Sequence, residues 1–330
     1  MTTQPVTQKR SFFNSDATQK ILAFAGLIVM FVFFSIANEN FFQPSNIVGI
    51  LLATSVNGIL ALGVTFTIIS AGIDLSVGTV MTVSAVMTGV FITNLGLPVW
   101  IGVLGGLLTG GFAGFVSGSF IAKMRIPPFI ATLGMLYIAK GLALVISGLK
   151  PIYFSDAPSF NQIAMGSVVP SIIPELDVPN AVWIYFAAAI VAYIILNRTI
   201  LGRYTFAIGS NEEATRLSGV NVSLWKIAIY TLAGLFSGLA GVVIASRLNS
   251  AQPALGAGYE LDAIAAVVIG GTSLSGGDGT ILGTVIGAFL ISVLTNGLRI
   301  MSVPQEWQIV ITGAIVILAV WADILRRGRQ

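Results

Sequence analysis

One short polar segment, from Ser210 to Gly219, interrupts an otherwise apolar sequence and is the clearest candidate for a functional contact. Ser210 and Glu213 have the spacing of a capping box, in which a hydroxyl and a carboxylate satisfy the free amides at a helix start. Glu212 and Arg216 are four residues apart in the favourable order for a helical ion pair, and Gly219 can end the helix in the left-handed conformation. The segment therefore predicts a short, self-stabilised helix that faces solvent.

The composition places this helix in a membrane protein. Charged residues make up 9% of the chain and hydrophobic residues 55%, whereas about 25% of the residues of a globular domain are charged. Apolar runs of roughly 20 residues, enough to cross a bilayer as a helix, recur from end to end. They are too long and unbroken for the alternating pattern of barrel strands. The sequence predicts an all-α, polytopic bundle of membrane helices.

The apolar runs and their polar or Gly/Pro breaks predict about ten spans. The eighth is short and ends in a glycine-rich run at 270–277, so a re-entrant or broken helix is an alternative there. The first span follows a polar N-terminal tail, and no small-residue cleavage site follows the span. This favours a retained span over a signal peptide. The predicted spans lie near 21–37, 47–69, 77–94, 98–122, 128–147, 181–197, 224–246, 261–274, 280–298 and 306–323.

Basic residues collect on one side of this topology, and the positive-inside rule then places both chain ends in the cytoplasm. Eight spans would preserve the same orientation, so the count stays open between eight and ten. The predicted layout is a cytoplasmic tail at 1–20, a transmembrane domain at 21–323 with an inner loop at 198–223, and a cytoplasmic tail at 324–330. The inner segments hold 12 of the 16 basic residues: Lys9, Arg10, Lys20, Lys123, Arg125, Arg198, Arg203, Arg216, Lys226, Arg326, Arg327 and Arg329.

The polar segment also resembles a known motif. Glu213-Ala214-Thr215, followed by Gly219 and then Ile229, is similar to the "EAA" loop of importer permeases of the ATP-binding-cassette superfamily, with Thr215 in place of the usual second alanine. The resemblance implies a helix that docks into a groove on a cytosolic ATPase. On local physics alone, an ordinary capped connector between two spans is the alternative. The implied coupling residues are Ser210, Glu212, Glu213, Ala214, Arg216 and Gly219.

Further segments match a second known pattern, namely Gly72–Gly78, Ala131–Leu133, Leu201–Tyr204, Ala214–Gly219, Ser250–Pro253 and Gly258–Leu274. With them the chain, from about residue 40 to the C-terminus, resembles the ribose-type monosaccharide permeases of the branched-chain amino acid and ribose permease superfamily. This resemblance implies a multi-pass protein of the bacterial inner membrane and a second permease copy, identical or paralogous. It also implies a periplasmic sugar-binding protein on the outer face. Ribose is the first expectation, with galactose, xylose or a polyol open.

Acidic residues of the predicted outer loops are candidates for contact with the binding protein, although simple solvation explains them equally well. These residues are Asp156, Glu175, Asp177 and Glu260.

Polar residues in and near the spans are candidates for a sugar pathway or gate, because a sugar needs amide and hydroxyl partners that bind it weakly enough to release it. Hydrogen bonds between helices are the alternative for each of them, and Asp74 has the further alternative of capping the third span. Lys140 and Arg247 are expected to extend outward to the interface. The pathway or gate candidates are Thr54, Asn57, Asp74, Ser76, Asn249, Gln252 and Asn296.

Several chemistries are disfavoured. No Gly-x4-Gly-Lys-Ser/Thr motif occurs, so no cofactor is expected in this chain, and ATP with magnesium is expected on the partner ATPase. Histidine and cysteine are absent, no catalytic or metal cluster stands out, and no nucleic-acid partner is expected. An ion-coupled secondary transporter is the alternative function. It would need ionisable groups buried in the bundle, and the acidic residues are predicted at span ends.

Overall fold

The computed structural model describes residues 16–168 and 177–327, and within them nearly all regular structure is helical. In this part of the chain, seven helices are long and apolar enough to cross a membrane, and two shorter apolar helical stretches lie at Ala23–Ala37 and Gln305–Leu318. The prediction of an all-α, polytopic membrane protein is confirmed. The helices are α1 Asp16–Ala37, α2 Pro44–Ile69, α3 Val77–Gly89 with a π-helical turn at Val90–Asn94, α4 Val99–Lys123, α5 Pro128–Ser147, α6 Pro158–Met165, α7 Asn180–Arg198, α8 Ile200–Ser210, α9 Glu212–Leu217, α10 Val222–Leu248, α11 Tyr259–Ile269, α12 Ile281–Ile300 and α13 Gln305–Arg327.

Each of the ten predicted spans overlaps one of these helices, and the fifth coincides with α5. The third also covers the π-helical turn after α3, and the eighth extends five residues beyond the end of α11. The predicted eighth span corresponds to α11, which has 11 residues and is about 16 Å long at 1.5 Å per residue. A hydrocarbon core about 30 Å thick is too wide for such a helix, as its short apolar run indicated. The number of crossings and the sides of the two chain ends stay predictions.

Two helices escaped the sequence analysis because they lie in segments predicted as loops. In the outer loop, α6 packs against α10, where the Ser246 hydroxyl donates to the Phe160 carbonyl at 2.6 Å and accepts from the Ala164 amide at 2.9 Å. Nearby, β1 (Ile152–Tyr153) pairs antiparallel with β2 (Ser250–Ala251), with Ile152 opposite Ala251. These contacts fasten the loop between α5 and α7 to the C-terminal end of α10. The second missed helix is α8.

Helices α4 and α10 make the most extensive helix contact within the described residues. Both helices use glycine there, and the α4 glycines at positions 102, 106, 110, 114 and 118 are all buried. A Cβ atom added at Gly110 would meet the Gly234 carbonyl, and one at Gly114 would meet the Tyr230 carbonyl. The evenly spaced α4 glycines therefore allow the two helix backbones to pack closely.

The other side of α4 is apolar and exposed. Trp100, Leu104, Leu108 and Phe112 recur every four residues and are 48–68% exposed. Side chains with this spacing share one helix face. An exposed apolar stripe on a helix of this length is typical of a surface that faces lipid.

Candidate functional site

Helix α9 is a capped turn of six residues, but its cap is not the predicted one. The side-chain oxygen of Asn211 accepts from the Ala214 amide at 2.8 Å, whereas Ser210 is the last residue of α8. The predicted capping box from Ser210 to Glu213 is therefore wrong. Asparagine one residue later offers the same short acceptor, and the extended backbone of Asn211 separates the two helices.

The C-terminal end of α9 confirms the role of Gly219. Its φ is +84°, its amide donates to the Arg216 carbonyl at 3.0 Å, and the Val220 amide donates to the Thr215 carbonyl at 3.4 Å. These two bonds form the Schellman motif, which glycine favours because it lacks a Cβ. The helix is thus closed at both ends by its own residues.

Thr215, the departure from the usual motif, fixes α9 to α8. It is the buried residue of α9, with 7% exposure. Its hydroxyl lies 2.9 Å from the Ala207 carbonyl and 2.8 Å from the Asn211 carbonyl. An alanine could make neither contact. Glu213 and Ala214 stay exposed, and Leu217 is 82% exposed.

The two glutamates of α9 have different surroundings. Glu212 accepts from Arg216 at 2.8 Å, as predicted, and also from Lys226 of α10 at 2.6 Å. The Lys226 side chain is only 17% exposed, so this bond is shielded better than an ordinary surface ion pair. Glu213 points to no basic partner within the described residues. Sequence reasoning missed Lys226 because it lies 14 residues away, in the next span.

Glycine allows the end of α8 to approach the end of α2 closely. A Cβ atom at Gly209 would overlap the Ile69 carbonyl and lie 2.7 Å from the Gly277 amide nitrogen. The Gly277 amide itself donates to the Ile69 carbonyl at 2.8 Å. The segment just before α9 is therefore packed against the end of α2 and the link between α11 and α12.

Of the pathway candidates, the structure brings together Asp74 and Ser76. The Asp74 carboxylate accepts from the Ser76 amide at 2.9 Å and from its hydroxyl at 2.6 Å. Asp74 is 2% exposed; burial raises the pKa of its carboxyl group, and the hydrogen bonds from Ser76 oppose that shift. The pair precedes α3, close to the predicted capping role, although the N-cap position itself belongs to Ser76.

The remaining candidates do not converge on one cavity. Thr54 donates to its own helix, at the Ile50 carbonyl, and Asn296 of α12 donates to Asn46 of α2 at 3.0 Å. Asn249 is the exposed left-handed C-cap of α10, and Gln252 donates to Ser250. The buried Asn57 carbonyl oxygen has no hydrogen-bond partner in the part of the chain that the structure describes.

Two expectations about charged residues are wrong. Glu260 is 9% exposed and enclosed, because the first turn of α11 packs against Gly78 at the start of α3. It is therefore not on a docking surface. Arg247 does not extend outward, since its guanidinium donates to the Leu52 carbonyl of α2 at 3.3 Å. Asp156 and Asp177 are exposed, and Lys140 is exposed as expected. Glu175 lies outside the described residues.

A bundle of apolar helices with a self-capped polar helix at its edge defines a multi-pass membrane protein of the transport class. The chain belongs to the family described as branched-chain amino acid transport system, permease component, whose model matches residues 46–320. Members of this family are transport subunits and not enzymes.

Named relatives extend over nearly the whole chain. The ribose import permease protein RbsC of Escherichia coli (strain K12) is 40% identical over 326 residues, covering 98% of this chain and 99% of the relative. The protein of the same name from Bacillus subtilis (strain 168) is 39% identical over 317 residues, 96% of each chain. The fructose import permease protein FrcC of Rhizobium meliloti is 35% identical over 321 residues, covering 96% and 88%. No solved structure matches significantly.

Proposed function

We propose that this chain is the membrane permease subunit of an ATP-binding-cassette importer for a monosaccharide, with ribose as the first candidate. Near-complete similarity to permeases named for ribose and fructose import supports the sugar class. The structure of helix α9 is the observation that supports the coupling role. The helix is closed at both ends and exposed along its outer face, and it is anchored to α8 by Thr215 and to α10 by Lys226.

In this proposal, α9 docks on a cytosolic ATPase that binds ATP and magnesium, and the permease itself binds no cofactor. Closure of the ATPase displaces α9. The displacement reaches α10 through the bond between Glu212 and Lys226, and reaches α2 through the packing of Gly209 on Ile69. The two largely buried spans α2 and α10 would then move together with the ATPase. A switch between outward- and inward-facing states requires such a movement.

The other partners belong to the same proposal. A periplasmic sugar-binding protein would deliver the sugar to the outer face in the bacterial inner membrane, and the exposed residues Asp156 and Asp177 would contact it. A second permease copy, identical or paralogous, would complete the pathway.

An ion-coupled secondary transporter remains the second candidate, since Asp74 and Glu260 are buried carboxylates of the kind that such transporters need. A proton uncoupler distinguishes the two functions. With cellular ATP held constant, uptake of labelled sugar by cells that carry all subunits is expected to stay unchanged when the uncoupler is added. Collapse of uptake under these conditions would favour the ion-coupled alternative.

A further inference from the structure

A groove rich in basic side chains lies between the α4–α5 turn, helix α9 and the start of α10. Its volume is about 660 Å³, within the roughly 300–1,000 Å³ typical of small-molecule sites. We call it the basic groove. Four basic residues and one acidic residue line it, which gives these side chains a formal charge of 4 − 1 = +3. The charged residues are Lys123, Arg125, Glu212, Arg216 and Lys226.

The α4–α5 turn supplies two cations that are not neutralised by the protein. Lys123 and Arg125 are exposed and have no ion pair or hydrogen bond to a side chain among residues 16–168 and 177–327. Arg125 also has a φ of +56°, which is uncommon outside glycine. Residues held in such conformations cluster at ligand-binding sites. Arg216 and Lys226, by contrast, share the carboxylate of Glu212.

The surroundings of the basic groove indicate a ligand that is both anionic and apolar. The turn joins two helices of membrane-spanning length, so it lies near a bilayer surface. Met124, Phe129 and Ile130 are close to the cations in the sequence, lie just outside the lining of the groove, and are 63%, 50% and 54% exposed. A phospholipid matches both features, because its headgroup pairs with the cations while its acyl chains lie along these apolar side chains.

We propose that the basic groove binds the headgroup of an anionic phospholipid, such as phosphatidylglycerol. The phosphate lies against Lys123 and Arg125, and the acyl chains follow Met124, Phe129 and Ile130. Basic pockets at the ends of spanning helices are suited to this chemistry. The site goes beyond the proposed function because it requires neither sugar nor ATP.

Lipid titrations followed by native mass spectrometry test this site in the purified full-length permease. Phosphatidylglycerol is expected to bind more tightly than phosphatidylcholine. The double variant Lys123→Gln/Arg125→Gln is expected to lose roughly 30-fold in affinity for phosphatidylglycerol. The control Lys140→Gln/Lys150→Gln removes two exposed cations elsewhere, with the same change in net charge, and is expected to retain the wild-type affinity.

Three results would overturn the proposal. Equal losses in both double variants would indicate non-specific attraction to a basic surface. Displacement of phosphatidylglycerol by equimolar inorganic phosphate would indicate a site for a free anion. Unchanged lipid binding in Lys123→Gln/Arg125→Gln, together with loss of ATPase co-purification, would assign the groove to the protein partner.

Discussion

Reversing the charge of both Glu212 and Glu213 is expected to abolish sugar uptake and ATPase binding while the permease still inserts and folds. Glu213 is exposed on the outer face of α9, so a basic residue there would change the surface presented to the ATPase. A basic residue at Glu212 would face Arg216 and Lys226 and push α9 away from α10. Uptake of labelled sugar and co-purification of the ATPase measure the two losses.

Glu39→Lys is the matched control, because Glu39 is exposed in the link between α1 and α2. It is expected to keep uptake and ATPase binding. Full uptake by the variant with both α9 glutamates reversed would remove the coupling assignment.

Variants that remove a charge without reversing it separate the docking of α9 on the ATPase from the transmission of its movement to α10. Lys226→Gln is expected to reduce uptake by roughly 10-fold, as loss of a partly buried charged hydrogen bond implies, while the ATPase still co-purifies. Glu212→Gln/Lys226→Gln together should be no worse than the more severe single variant, because both changes remove the same contact. Additive losses would show that the two residues act separately.

Replacing Gly114 by leucine is expected to leave no folded permease. A Cβ atom at this position already overlaps the Tyr230 carbonyl and lies 3.1 Å from the Gly234 Cα. Backbone atoms cannot move aside as a side chain can, so α4 and α10 would separate. Alanine at Gly114 is expected to lower stability by about 1–3 kcal/mol. The yield of monodisperse protein and its thermal midpoint in detergent measure both effects.

Gly134 of α5 provides the control, because nothing lies within 4 Å of a Cβ added there. The change Gly134→Ala adds the same methyl group and is expected to be neutral or stabilising by up to about 1 kcal/mol, since alanine favours helix more than glycine does. Equal stability of the two alanine variants would contradict the close packing of α4 on α10.

The spanning helices could be predicted because the requirement for internal backbone hydrogen bonds leaves a long apolar run few alternatives to helix. This constraint weakens outside the membrane, where helix formation depends on packing. Helix α6 packs on α10 through Ser246, and α8 packs on the end of α2 at Gly209, and neither contact is visible in the local sequence. The local start signals of these helices, Pro158 at the beginning of α6 and the Thr199 cap of α8, are too short to predict a helix without such contacts. The Asn211 cap was missed because Ser210 and Asn211 are both favourable N-cap residues. Only the backbone conformation determines which of the two begins α9.

The burial of Glu260 could not be predicted from neighbouring residues. Its position depends on the segment before α11, in which Gly256 contacts Gly78 and brings Glu260 against the start of α3. The same limit applies to Lys226 and Glu212, whose contact joins two elements. Short-range patterns thus identified α9 as a helix, while its attachments required the tertiary structure.

Uptake into liposomes is the most direct measurement of the central claim that an external motor drives this permease. With the permease alone, labelled sugar is not expected to accumulate against its gradient, whether or not an ion gradient is present. With the ATPase, the binding protein and ATP, accumulation is expected to begin. Uphill accumulation by the purified permease in the absence of the ATPase would contradict the account.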